Sequence, residues 1–224
     1  MRKYCVLAIL FVLLCGLAAS AQTATAPTQA TAAASAVTLP APSRSGGMAL
    51  AEALARRRSI RSFTGAALTQ QEISQLLWAA QGITDDKGHR TAPSAHAGYF
   101  LHIYAATAGG FYEYVPAGHL LKQFAAGDLR AKLSTQATVT SAPLALLIAM
   151  EEERALKTFG KDKGIVYVYL EAGHAAQNVL LQATALGLGA VPVGGIQAAA
   201  QIEQATALPP GIVPIYLIAV GRPK

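Results

Sequence analysis

The segment Arg57-Arg58-Ser59-Ile60-Arg61-Ser62-Phe63 sets guanidinium groups beside hydroxyls. That combination holds a phosphate through charge-assisted, bidentate hydrogen bonds. The same residues also read as a solvated basic helix end that complements a helix dipole. A second segment, Leu186-Gly187-Leu188-Gly189-Ala190-Val191-Pro192-Val193-Gly194-Gly195-Ile196, places Gly194 and Gly195 after a short apolar run. Backbone N–H groups there can approach a planar ligand with no Cβ in the way. Its glycine spacing and its place after a helix do not match a dinucleotide fingerprint, and a structural turn is the alternative. A third segment, Arg90-Thr91-Ala92-Pro93-Ser94-Ala95-His96-Ala97-Gly98-Tyr99, is a loop of small and hydroxyl side chains leading into a strand.

The histidines add no metal chemistry. His89, His96 and His102 fall close together but match no zinc spacing. His174 reads as a packed or interface residue rather than a base. Neither GxSxG nor HExxH occurs, which argues against the common serine hydrolase and metalloprotease mechanisms.

These residues need elements to position them. A helix over 48–57 delivers Arg57, and Thr69 with Glu72 has capping-box spacing for a second helix that ends near Gly82. Residues 83–98 are polar and broken by Gly88 and Pro93, and residues 99–106 alternate like a strand. Phe111 to Tyr114 and the 119–124 region predict a small excursion beside a sheet, followed by a short helix within 128–136. The apolar run 144–150 predicts a fully buried strand. A long central helix spans 166–186, strands cover 190–193 and 213–220, and a helix over 198–205 lies between them. Helices around a small mixed central sheet make an α+β domain.

The chain has 224 residues and a formal charge of +6. Residues 1–21 carry Arg2 and Lys3, an apolar run and the small residues Ala19-Ser20-Ala21, which read as a cleaved signal peptide of an exported protein. The apolar run is too short to span a bilayer. Leu14 before Cys15 argues against a lipoprotein signal. Cys5 and Cys15 both lie in that leader, so the mature chain has no disulfide, thiolate metal site or cysteine nucleophile. Losing Arg2 and Lys3 leaves a mildly basic protein without the signature of a nucleic-acid binder. Residues 22–47, rich in Ala, Thr, Ser and Pro, lack apolar periodicity and read as a disordered tether. Residues 48–224 suffice for one domain.

Taken together, the motifs resemble the nitroreductase superfamily. The resemblance rests on Arg57, Ser59 and Arg61, on Pro93-Ser94-Ala95, on Glu171-Ala172-Gly173-His174-Ala175-Ala176-Gln177-Asn178, and on Ala185 to Gly189. Leu101, Ile103 and Tyr104, then Phe111-Tyr112-Glu113-Tyr114 and Gly118-His119-Leu120, are similar to the SagB-type dehydrogenase branch. The resemblance implies a nitroreductase-like fold and a homodimer with FMN at the subunit interface. It places Arg57 and Ser59 at the phosphate, Arg61 toward the pyrimidine edge, and Pro93, Ser94 and Ala95 against the flavin of the partner subunit. In the cofactor-binding segment that holds Pro192, the backbone N–H of Gly194 would face flavin N5 and Gly195 would face O4, and Arg222 or Lys224 would supply a last phosphate contact. The implied activity is electron transfer between flavin and a small organic or peptide-derived substrate; a flavin- or ligand-binding protein without turnover is the alternative. Outside the cytoplasm, oxygen, a quinone or a protein could replace a nicotinamide as redox partner. No Lys-Tyr pair of the azoline oxidases is visible.

Overall fold

The computed structural model describes residues 36–224. The signal peptide expected at 1–21 and residues 22–35 of the tether expected at 22–47 lie outside the described residues.

Seven strands form one sheet in the order β1-β4-β3-β2-β5-β7-β6. They are β1 (Ala36–Thr38), β2 (Leu101–Thr107), β3 (Gly110–Val115), β4 (Leu120–Ala126), β5 (Leu144–Glu151), β6 (Gly189–Val193) and β7 (Ile212–Gly221). Every ladder is antiparallel. The α+β class holds, and the only parallel pairing among the described residues is the isolated bridge between Ser59 and Ala190. The excursion expected around Phe111 to Phe124 is instead β3 and β4, two full members of the sheet. Their alternation was masked because aromatic and polar residues share the half-covered end of the sheet.

β5 lies between β2 and β7 and is apolar at every position from Leu144 to Met150. Leu144, Leu146, Ile148 and Met150 enter one core, and Ala145, Leu147 and Ala149 enter another. A strand covered on both faces reads as a continuous hydrophobic run because successive side chains point to opposite sides. The first core is capped by α2 (Gln70–Gln81) and α6 (Lys161–Ala185). The second lies under the short helices α3 (Arg130–Leu133), α4 (Ala137–Thr140) and α7 (Ala199–Thr206). α1 (Leu50–Arg56) and α5 (Glu152–Phe159) complete the set. The Thr69–Glu72 capping box forms as the spacing predicts. Gly160, at φ 77°, separates α5 from α6 in a left-handed conformation that an L side chain resists.

The expectation of a disordered tether extends too far. Thr38 and its neighbours pair with β4, Leu39 is buried, and its N–H donates to His119 O. Ser74 Oγ donates to Pro40 O at 2.6 Å, Gln71 Nε2 donates to Ala41 O at 3.1 Å, and the Gln75 amide bonds both backbone groups of Ser43. Residues 36–47 are therefore a strap stitched along α2. Apolar periodicity misses such a segment because its attachment runs through its own backbone and one buried leucine.

Candidate functional site

α1 ends where the Arg57 N–H donates to Ala53 O at 2.9 Å. The chain leaves extended, and Ile60 N donates to Ala190 O at 3.1 Å, laying the segment along β6. Beyond it, Phe63 pairs with Pro223, Lys224 N donates to Ser62 O at 3.2 Å, and Thr64 N to Arg222 O at 3.0 Å. Phe63 turns into the core and Ile60 packs against it, while Ser59 and Arg61 face outward and Arg57 is half-buried. Gly189 is required for the approach, since a Cβ there would lie 2.7 Å from Ile60 Cγ2.

The four arginines of this stretch divide by partner. Arg56 pairs with Glu52 at 2.8 Å, and Arg58 donates to Ala55 O at 2.9 Å and to Arg57 O at 2.7 Å. Arg56 and Arg58 thus fulfil the helix-end reading. Among the described residues, the side chains of Arg57, Ser59 and Arg61 have no hydrogen-bond or ion-pair partner. At the far end of β6, Pro192 lies opposite Ile218, and Gly194 has no heavy atom within 4 Å of where a Cβ would stand. Gly195 is different. Its carbonyl accepts from Ser134 Oγ at 2.9 Å and Gln136 Nε2 at 3.3 Å, and a Cβ on it would meet Gln136.

Two expected site residues are engaged elsewhere. Arg222 Nη2 donates to both oxygens of Glu72, at 2.9 and 3.2 Å. Glu72 is also the capping-box residue of α2. Burial opposes its ionisation, but the Thr69 donors and Arg222 win and hold its pKa below the usual carboxylate value. Ser94 does not present a free hydroxyl either: its Oγ donates to Glu171 Oε2 at 2.7 Å and accepts from Tyr99 N at 2.9 Å. The Pro93-Ser94-Ala95 loop packs against α6 rather than joining the β6 edge of its own chain.

Sequence reasoning quoted Glu171 within a motif but gave it no role. It is 2% exposed, and it accepts further bonds from Gln81 Nε2 at 3.2 Å and Phe100 N at 3.3 Å. Burial raises its pKa against those bonds and the nearby Arg90. A carboxylate on the inner face of an apolar helix was a signal, because buried charges need donors. His102, weighed in the sequence only as a metal ligand, sits between two carboxylates: Nδ1 lies 2.8 Å from Glu113 Oε1 and Nε2 lies 2.7 Å from Glu151 Oε1. Glu151 in turn pairs with Arg154. No group of three or more His, Cys, Asp or Glu side chains that could hold a metal is found among the described residues.

Four grooves of the described surface, including one of about 300 Å³ between α1, α2 and α6, contain none of Arg57, Ser59, Arg61, Gly194 or Gly195. The free donors stand on an open edge. Leu50, which lines that groove, and Leu54 are exposed apolar side chains on α1, as are Val166, Tyr169 and Leu170 on α6.

Comparison with known proteins places this geometry. A sequence model of the nitroreductase family matches residues 54–222. The candidate nitroreductase MJ1384 of Methanocaldococcus jannaschii is 39% identical over 188 residues, which are 77% of this chain and 90% of that protein. The crystal structure of a candidate nitroreductase from Ralstonia eutropha JMP134 superposes with a TM-score of 0.79 at 33% identity, covering 84% of this chain and 90% of that one. The NADPH:FMN oxidoreductase of Vibrio harveyi, solved with NAD+, shares the fold at a TM-score of 0.57 and 22% identity, over 78% of this chain and 69% of its own.

Proposed function

The chain belongs to the nitroreductase family, and on that premise we propose that it is an FMN-dependent oxidoreductase of the SagB-type dehydrogenase branch. It moves electrons between bound flavin and a small organic or peptide-derived substrate. The observation that carries this reading is the division of the arginines: Arg57 and Arg61 have no partner among the described residues, while Arg56 and Arg58 are spent on the helix end. Two unpaired guanidinium groups beside the Ser59 hydroxyl suit a phosphate monoester. The open backbone at Gly194 suits a flat ring system. FMN, when bound, supplies the electron-accepting ring, and the protein supplies orientation and local polarity.

In this reading Arg57 and Ser59 hold the phosphate, Arg61 faces the polar edge of the ring, and Pro192 braces the turn that presents Gly194 and Gly195. Pro93, Ser94 and Ala95 of a second copy close the site. The branch assignment is supported by the Pro93-Ser94-Ala95 loop and the strands that carry Leu101 to Tyr104 and Phe111 to Tyr114. A homodimer is supported by the exposed Leu50, Leu54, Val166, Tyr169 and Leu170. The sequence of residues 1–21 supports export with cleavage near Ala21, which N-terminal sequencing of the secreted protein would test.

The decisive experiment compares two neighbouring arginines. Arg57→Ala should weaken FMN binding by about 2–4 kcal/mol, the range for removing a charged hydrogen-bonding partner. Arg58→Ala, whose guanidinium is already satisfied by backbone carbonyls, should stay within about 0.5 kcal/mol of wild type. Titration of flavin fluorescence reads both. Equal losses would replace the phosphate clamp with a general basic patch, and a wild-type protein that cannot be reconstituted with FMN would end the flavin reading.

A further inference from the structure

Glu171 is the only charged side chain in the buried core of the described residues. Its carboxylate oxygens face only donors: Ser94 Oγ, Phe100 N and Gln81 Nε2. Gln81 is itself anchored by Arg90, whose Nη1 donates to its Oε1 at 3.3 Å. Two of Glu171's three bonds bracket a single loop, one at Ser94 and one at Phe100. Between those points His96, Ala97 and Tyr99 adopt φ of 53°, 51° and 49°. Left-handed backbone is disfavoured for residues with a Cβ and persists where surrounding bonds over-determine it. On the other side Arg154 of α5 donates to Gly98 O at 2.8 Å and Tyr99 O at 2.6 Å, with its guanidinium 4.1 Å over the Phe100 ring. The loop is thus held from both ends and from both sides.

We propose that Glu171 is a positioning residue of the flavin site, its carboxyl fixing the strained loop from Ser94 to Tyr99 in the shape that closes the site of a second copy. This rests on the FMN reading above. Two observations link the loop to a second copy. The free donors beside β6 line none of the four grooves described above, and Ser59 and Arg61 are exposed. Val166, Tyr169 and Leu170, exposed on α6, lie within the five residues preceding Glu171, so a copy docked on them stands beside the loop that Glu171 holds.

Mixed dimers test the proposal. Two differently tagged chains are co-expressed, one carrying Arg57→Ala and the other Glu171→Gln or Ser94→Ala, and the mixed species is isolated by sequential affinity steps. If the loop acts across the interface, one site of the pair carries both lesions and the other carries neither. The expected result is half the wild-type FMN stoichiometry at wild-type affinity, while the Glu171→Gln and Ser94→Ala homodimers each bind about tenfold more weakly, the size of one charge-assisted hydrogen bond. Ser94→Thr, which keeps the hydroxyl, should restore binding. Amide exchange over 94–100 should quicken in Glu171→Gln with β5 unchanged, a reading that needs no flavin. A mixed dimer with no wild-type-affinity site, or a Glu171→Gln protein with unaltered exchange and affinity, overturns the proposal while leaving the flavin function standing. A wild-type protein that binds no FMN overturns both, and Ser94→Ala keeps the test alive if Glu171→Gln does not fold.

Discussion

His102 donates from both ring nitrogens, because each faces a carboxylate oxygen and carboxylates only accept. Burial works against the imidazolium, but the bonds to Glu113 and Glu151 outweigh it and raise the pKa above 6.5. A raised histidine pKa stabilises the fold fully below its unfolded value, and the contribution disappears as pH rises through the folded value. His102→Gln should therefore cost about 1–3 kcal/mol near pH 6, since it leaves two carboxylates facing a neutral group. The difference from wild type should shrink by about pH 9, and urea denaturation at the two values reads it. A difference independent of pH would mean that the triad contributes packing and no charge. At this same scale the sequence was a partial guide. It singled out Arg57, Ser59 and Arg61 by their motif spacing, and the structure shows where the intervening Arg58 goes: to the carbonyls of Ala55 and Arg57.

The strap over 36–47 is an element that composition concealed, and it changes what truncation should do. Removing residues 22–35 should leave the melting transition in place. Extending the deletion through residue 47 exposes the Leu39 site and strips partners from Ser74 and Gln75. One buried leucine and several hydrogen bonds predict a loss of about 2–5 kcal/mol. Coincident melts for the two truncations would show the strap to be ornamental. The junction of β6 with the basic segment carries a second prediction. Gly189→Ala brings a methyl to 2.7 Å from Ile60 Cγ2, against a backbone that also carries Ser59 and Arg61. Overpacking of this kind costs about 1–3 kcal/mol. FMN affinity should fall along with stability, and an unchanged affinity would show that the segment shifts without disturbing the donors.

A single chain leaves the free donors on an open edge and a row of apolar side chains on α1 and α6, with Leu50 66% and Leu170 55% exposed. The proposed second copy would account for both features. Wild-type protein should sediment as a dimer at micromolar concentration. Leu54→Glu with Leu170→Glu places charges on that face and should yield a monomer that keeps its circular dichroism and loses FMN. A wild-type monomer that retains flavin would place the site within one chain.

The sequence by itself determined the α+β class, β5 as a buried strand, the capping box of α2 and the basic segment after α1. Each of these is a local pattern, a period of two or 3.6, a cap spacing or a run of charge, and a local pattern states which face of an element meets the core. Tertiary structure decided the partners. Arg222 meets Glu72 across 150 positions and Ser94 meets Glu171 across 77. No propensity of either residue encodes such a meeting, because a polar side chain is satisfied by whatever donor or acceptor the packing of apolar faces happens to bring within about 3 Å. The strap and the β3–β4 hairpin belong to the same class: their place is set by backbone groups paired with distant residues, and every backbone offers the same donor and acceptor whatever its side chain.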